Sequence, residues 1–536
     1  MPTLTFTNIT TGATGHTSGA RGTVVVDGDT AYIADGNEML RYDYGDDAAI
    51  TLGIEAYTDT TLSVSAGADG SLTIATGDSV WIKATYHDDD KDVYGNPGSP
   101  VELAGDGAAR QIIVANIVAN ADTRIDRVML WMTVPMPADT PPAAREYFLV
   151  SEAVDTTTSQ TINLSLDEIQ ASSRLVLDVS GIGARRSHDK PRRGTYLVKW
   201  DGNYWLAGCV KNNAGNADAK PHHVYMTANP EYWDDANSMT FPEEVTALWP
   251  QITGLLVFTV SRTYMITGTG TVISDYRWTL LSEKSGCVSH WSLRNRESDD
   301  GSSHPIWLSR AGFMALLGGN IVNLTKRRLT WFDEGAGKWA QNYMQYAPGH
   351  YNRQNGYYFC AIPEAAQTVP STELVLNDLT NGFEVWDRNV TPQWYGSYEN
   401  QDQEEVGIFS DADGWIYYET PTTYTDAGTA IDMDYESQKT DWGADGRVKT
   451  LANIEMEFDP DGTDATSVSV QVYEEWDATA KPATAVSLAT DSFSSGVGIS
   501  AGGRCMSIRV RENTNSKKVR VSKIAMDARP LALMRV

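Results

Sequence analysis

Along this chain apolar residues recur at every second position in short runs, and polar turns carrying glycine separate the runs. Neighbouring residues of a strand point to opposite faces, so the pattern predicts many short strands joined by tight turns. One module recurs: an apolar strand, a polar glycine-bearing turn, then a second strand rich in aromatics. It is read at 22–34, where Val24-Val25-Val26 precede Asp27-Gly28 and Tyr32-Ile33 follow, and at 196–208, around Asp201-Gly202. It recurs at 254–268, 305–318, 349–386 and 407–418. Asp-Gly between two apolar runs is a hairpin signal. From 195 to 420 the modules come about every 45 to 60 residues, the interval of four-stranded propeller blades. A single hairpin cannot bury both faces, and packing such modules around an axis buries them together. The expectation is a β-propeller of about six blades, most of it from residues 181–427 with a first segment from residues 1–49. Unrelated β-meanders are the reading left open.

Residues 50–180 have a different texture. Strands are expected at 61–65, 71–74, 79–86, 112–114, 127–133 and 147–150, which together describe an inserted β-sandwich. In the C-terminal block, 428–536, Ile454, Met456 and Phe458 alternate with Glu455 and Glu457, and Val468, Val470 and Val472 with Ser469 and Gln471. Such runs put apolar residues on one face and polar residues on the other, so a second β-sandwich is expected. Its last strands, 507–511 and 518–521, carry basic residues on the outer face, a docking surface for an acidic neighbour. The fold class is all-β: a propeller with two accessory sandwiches.

Composition narrows the function classes. With 536 residues the chain needs two to four domains, and 16 Trp and 25 Tyr supply large buried area. Cys209, Cys287, Cys360 and Cys505 show no paired spacing, so they read as reduced core residues rather than a zinc site or disulfide framework. Met1 to Gly12 has no basic segment and no apolar core of signal-peptide type, and no apolar run is long enough to cross a bilayer, so neither export nor membrane insertion is expected. Asp and Glu number 70 against 42 Lys and Arg, a net charge of −28 that disfavours tight nucleic-acid binding. It does not exclude DNA as a passenger, because a wall that DNA slides past works better when it does not hold it.

Candidate chemistry is sparse. Ser410-Asp411-Ala412-Asp413-Gly414-Trp415 approaches the Ser-x-Asp-x-Gly-x-Thr-Trp box of sialidase-type propellers but has alanine at the third position and occurs once. Asp88 to Asp92 and Asp459 to Asp464 offer clustered oxygen ligands of the kind calcium takes, without the spacing of an EF-hand loop, and read as solvated turns. His222 and His223 are strand neighbours and point apart. No nucleophile elbow, phosphate-binding loop or HExxH is present, so no enzyme, cofactor or metal is expected. The basic run Arg185, Arg186, Lys190, Arg192 and Arg193 stands between sandwich and propeller, where it reads as a linker or as a contact to a neighbouring subunit or DNA.

Several segments resemble the tail nozzle, or hub, proteins of short-tailed bacteriophages, a family also described as DNA-stabilisation proteins. In the inserted block these are Gly77 with Trp81 and Tyr86, the turn Gly95-Asn96-Pro97-Gly98-Ser99-Pro100, and Asp155-Thr156-Thr157-Thr158 after Tyr147-Phe148-Leu149-Val150. Leu130-Trp131-Met132-Thr133 departs from the Ile-Tyr-Arg-Thr of relatives. In the propeller they are Val224 to Trp233, similar to the family's Tyr-x-Ser-x-x-x-Pro-x-x-Trp, and Ser285 to Leu293 leading into Ile306 to Phe313. The resemblance implies that the inserted sandwich is fibronectin-III-like. It also implies a structural virion protein, a ring of six copies below the portal and adaptor that carries distal tail proteins or fibres and passes double-stranded DNA. Such a protein is made in the host cytoplasm and resides in the virion tail. The competing reading is a receptor- or carbohydrate-binding propeller that presents Trp331, Trp386 and Trp394 on exposed loops.

Overall fold

The computed structural model describes residues 21–36, 39–43, 49–54, 56–57, 61–90, 93–120, 122, 124–171, 175–177, 191–209, 219–231, 233–297, 303–326, 330–332, 337–353, 356–377, 382–386, 390–399, 405–411, 415–418, 425–426, 429–430, 433–436, 449–458, 467–474, 484–487, 494–503, 506–512 and 521–530. The protein is all-β, 57% strand and 5% helix, and every named strand pair is antiparallel. It divides into two compact units, Met1–Gln345 and Tyr346–Val536.

Meanders in which each strand pairs with the next recur in both units. The first unit holds four of four strands each: Thr23–Asp27 to Ile50–Thr51, Tyr196–Trp200 to Ser238–Thr240, Val245–Gln251 to Tyr276–Ser282, and Arg294–Glu297 to Asn320–Asn323. The second unit holds a four-stranded meander, Gly349–Asn352 to Gly382–Trp386, and a three-stranded one, Trp394–Glu399 to Ile416–Tyr418.

The turns follow from local chemistry. In the second meander Trp200 faces Asn203 across Asp201-Gly202, both with positive φ (51° and 74°), the two-residue loop that Asp-Gly favours because aspartate tolerates and glycine freely adopts that conformation. The first hairpin differs from expectation. Asp27 pairs with Thr30, so the loop is Gly28-Asp29, and glycine holds the first loop position at φ +60°. Asp27 is instead the last strand residue, and its carboxylate is left to bind across to the next meander.

In residues 54–177 two sheets share one core. The larger is centred on Asp78–Asp88, Arg127–Met132 and Tyr147–Val154; the smaller joins Ser63–Thr73, Ala109–Ala115 and Ser159–Ile162. Val80, Ile82, Ala84, Val128, Leu130 and Met132 meet Leu72, Ile112 and Val114 between them. The expected strands at 61–65 and 71–74 are one strand, Ser63–Thr73, whose register shifts twice against Ala109–Ala115. Bulges at Ala66/Asp69 and Asp69/Leu72 absorb the Gly67-Ala68-Asp69-Gly70 stretch that reads as a turn. The larger sheet also buries its other face, where Trp81, Met129, Trp131, Tyr147 and Leu177 cluster, with the Arg145 guanidinium 3.8 Å from the Trp81 ring centre. Arg127–Met132 lies between two strands with both faces covered, so Met132 suits a site where an arginine would be buried.

The C-terminal block forms a four-stranded sheet, Met433–Glu436, Met506–Glu512, Ser467–Glu474 and Thr484–Ser487, and a three-stranded sheet, Ser494–Gly503, Lys449–Phe458 and Val521–Pro530. Ile454, Val470, Val472, Ile508 and Val510 are buried, as their alternation predicts. Arg509 and Arg511 are half-buried, and Arg509 donates to the Tyr473 hydroxyl (3.2 Å). Lys518 and Arg520 lie outside the described residues.

Candidate functional site

Within the first unit, the first three meanders meet through their first strands: Thr23–Asp27 runs beside Tyr196–Trp200, and that beside Val245–Gln251. Side chains stitch this seam. Thr23 Oγ1 accepts from Leu197 N (2.7 Å) and donates to Thr195 O (3.0 Å); Trp200 Nε1 donates to Gln251 O (2.9 Å). Thr246 Oγ1 donates to Cys287 O (2.6 Å), and Trp249 Nε1 to Asn295 Oδ1 (3.0 Å). Each bond satisfies a polar group at the edge of one meander with a group of the next, so the meanders are locked in sequence order.

Between the first two meanders lies a small charged site. Lys199 Nζ is 2.6 Å from Asp27 Oδ2, and the Tyr204 hydroxyl donates to the same carboxylate. Lys199 and then Tyr204 hold the Asp27 carboxyl below its usual range, while burial and then Asp27 push the Tyr204 phenol up. On the same pair of meanders Glu231 receives Arg41 Nη1 (2.9 Å) and Gly53 N (3.4 Å). Trp233 Nε1 donates to Pro230 O (2.7 Å), and its buried ring packs with Ala34, Met39, Leu52, Leu197 and Tyr225. Glu231 and Trp233 thus clamp the two meanders together.

Ser285 to Leu293 has the same office between the third and fourth. Gly286 N donates to Ser261 O (2.9 Å), Cys287 N to Thr259 O (3.0 Å) and Val288 N to Leu308 O (3.0 Å), while Ser292 Oγ accepts from Leu308 N (3.0 Å). Gly286 is required by the close approach: a Cβ there would sit 2.3 Å from Thr259 O. His290, within this segment, is buried, its ring 4.9 Å from that of Tyr196 and 5.2 Å from that of Trp291. Nδ1 has no hydrogen-bond partner, and burial, then Arg294, lowers its pKa to about 3.

Of the basic run, Arg185, Arg186 and Lys190 lie outside the described residues. Arg192 is buried rather than presented on a linker: Nε donates to Asp235 Oδ1 (2.6 Å), Nη2 also bonds that carboxylate, and the guanidinium sits 5.5 Å from the Tyr225 ring centre. Arg193 is half-buried. Burial and the engagement by Asp235 are not legible in a run whose Pro191 and mixed polarity read as solvated.

The other candidates resolve into structural roles. Asp411 caps its own turn, accepting from Trp415 N (2.8 Å) and the Tyr417 hydroxyl (3.0 Å); residues 412–414 lie outside the described residues. Asp89 pairs with Arg127 and, at 2.7 Å, with His87; residues 459–464 are outside the described set, and among the described residues no cluster of three His, Cys, Asp or Glu could hold a metal ion. His223 Nδ1 lies 3.3 Å from Ser238 Oγ and its pKa is lowered, first by burial. Cys209, Cys287 and Cys360 are free and buried, and burial raises the first two thiols to about 12, so they pack rather than react. Cys505 is outside the described residues. Trp331 rests on Trp339 and Trp386 on Phe359, while Trp394 is 43% exposed. Among the described residues no helix is long and apolar enough to cross a membrane.

No protein-family model matches the chain, and no curated protein matches it. Among solved structures it aligns with the extracellular domain of a one-component system from B. thetaiotaomicron, at 8% identity over 95% of this chain and 80% of that one, with a TM-score of 0.25. It also aligns with an exo-β-1,3-galactanase from Phanerochaete chrysosporium, at 9% identity over 95% of this chain and 96% of that one, with a TM-score of 0.18. At such scores neither alignment transfers a fold or a function.

Proposed function

We propose that the chain is a structural protein of a bacteriophage tail, a nozzle or hub subunit that assembles as a ring of about six copies and continues the DNA channel below the portal and adaptor. In this reading the meanders are propeller blades, the 54–177 block is a fibronectin-III-like sandwich, and the C-terminal block is a second sandwich. The observation that carries it is the stitched succession of meanders, the first three through their first strands, because a propeller sets the first strand of each blade nearest the axis. The two segments that resemble the nozzle family, Val224 to Trp233 and Ser285 to Leu293, serve as the joints of that succession, which a framework role would preserve. The surplus of carboxylates, 70 against 42 bases, suits a wall past which a polyanion must slide. A ring of this kind does no bond-breaking chemistry.

Negative-stain imaging of the purified chain tests the proposal. Closed rings with an open axis are expected, together with no release of sugar, phosphate or peptide from host envelope material. Monomers that bind glycans would replace it with the receptor-binding reading. In a map of the virion the lumen should be lined mainly by carboxylates; a lumen lined by Lys and Arg would sink the conduit idea.

A further inference from the structure

The last strand of the third meander, Tyr276–Ser282, is hydrogen-bonded on one side only, to Thr263–Gly268. From Arg277 to Leu281 every side chain is exposed, and among the described residues no outward backbone bond leaves this stretch. Trp278 and Leu280 share one face, Arg277 and Thr279 the other, and the exposed Leu281 is the extra residue of a bulge that follows them. A groove of about 490 Å3 runs alongside, lined by Met239, Thr240, Ile273, Arg277 and Trp278. The Trp278 ring is fixed at its rim by Phe241 (5.6 Å) and Tyr264 (5.3 Å between ring centres). Arg277, the single charge on the strand, has no hydrogen bond or ion pair among the described residues.

An open, apolar strand edge is a template for another strand, and proteins that keep such an edge in water defend it with lysines, prolines or an extra bulge in the edge strand. Here the strand carries one charge, Arg277, and one bulge, at Leu281 near its end, while the regularly paired stretch from Tyr276 to Leu280 has neither lysine nor proline. In a chain whose acids exceed its bases by 28, an edge that offers only a cation is complementary to the surface of its own kind.

We propose that a strand from a second copy of this chain adds to the edge of Tyr276–Ser282, with apolar side chains against Trp278 and Leu280 and a carboxylate against Arg277. This rests on the reading of the chain as a ring subunit and names the surface through which neighbouring copies join.

The test places the photoreactive residue p-benzoylphenylalanine at position 279 of the full chain, with a control at position 252, where the turn residue is fully exposed. The irradiated protein is resolved by denaturing electrophoresis and the joined peptides are identified by mass spectrometry. Covalent dimers from position 279, few or none from position 252, and an acidic peptide as the joined segment are expected. Arg277→Glu should lower the dimer yield about tenfold, since it sets like charges against each other, while Arg277→Lys should largely keep it. Rings seen by microscopy without crosslinks from 279 would overturn this inference and leave the ring reading standing. Crosslinked dimers without rings would do the reverse. A chain that neither crosslinks nor forms rings would end both.

Discussion

His290 makes the stability of the first unit sensitive to acid, by an amount that can be worked out. Its imidazole is buried, with Nδ1 unpartnered, and its pKa is about 3 against an ordinary 6.5. Between those values the unfolded chain binds a proton that the folded chain refuses. Stability therefore falls as pH drops through 6.5 and stops falling below 3. Taking the ratio of the two binding polynomials, the loss from about pH 7.5 to about pH 5 is roughly 2 kcal/mol, and about 5 kcal/mol when titration is complete. His290→Phe removes the titrating group and keeps a ring against Tyr196 and Trp291; no hydrogen bond at Nδ1 is lost. Urea denaturation followed by tryptophan fluorescence, on both proteins at both pH values, isolates the effect, because the carboxylates they share cancel in the difference. The variant should lose about 2 kcal/mol less than the parent over that interval. Equal losses in the two proteins would refute the reasoning and place the acid sensitivity elsewhere.

Trp205, fully buried with its ring 5.0 Å from that of Tyr276, should cost about 3–5 kcal/mol when replaced by alanine, read as a shift of the denaturation midpoint. Glu231→Gln leaves Arg41 with Asp43 alone and should cost about 1–3 kcal/mol; a cycle with Arg41→Gln should show coupling that a merely exposed pair would lack. Cys209 and Cys287, buried with thiols raised to about 12, should resist iodoacetamide at mildly alkaline pH in the folded protein and be alkylated once it is unfolded, as mass spectrometry of the peptides would show.

The alternation of Ile454, Val470 and Val472 with polar neighbours, and the Asp201-Gly202 turn, could be read directly, because side-chain period and turn conformation are set by adjacent residues. All-β class and the spacing of the meanders follow from such local signals. What the signals leave open is which second face or edge finds a cover. Trp81 and Trp131 break the half-buried pattern because a second cluster lies behind their sheet, and residues 63–73 run on as one strand because their partner, Ala109–Ala115, accepts two bulges. Arg192 reads as solvated until Asp235, distant in sequence, closes over it, and the Val224 to Trp233 and Ser285 to Leu293 segments read as motifs until their bonds to neighbouring meanders show them to be joints. Tyr276–Ser282 reads like any other strand, and only the sheet order leaves its edge open. Local chemistry chooses the strand; the partner across it, chosen by long-range packing, decides what is buried, paired or left to meet another chain.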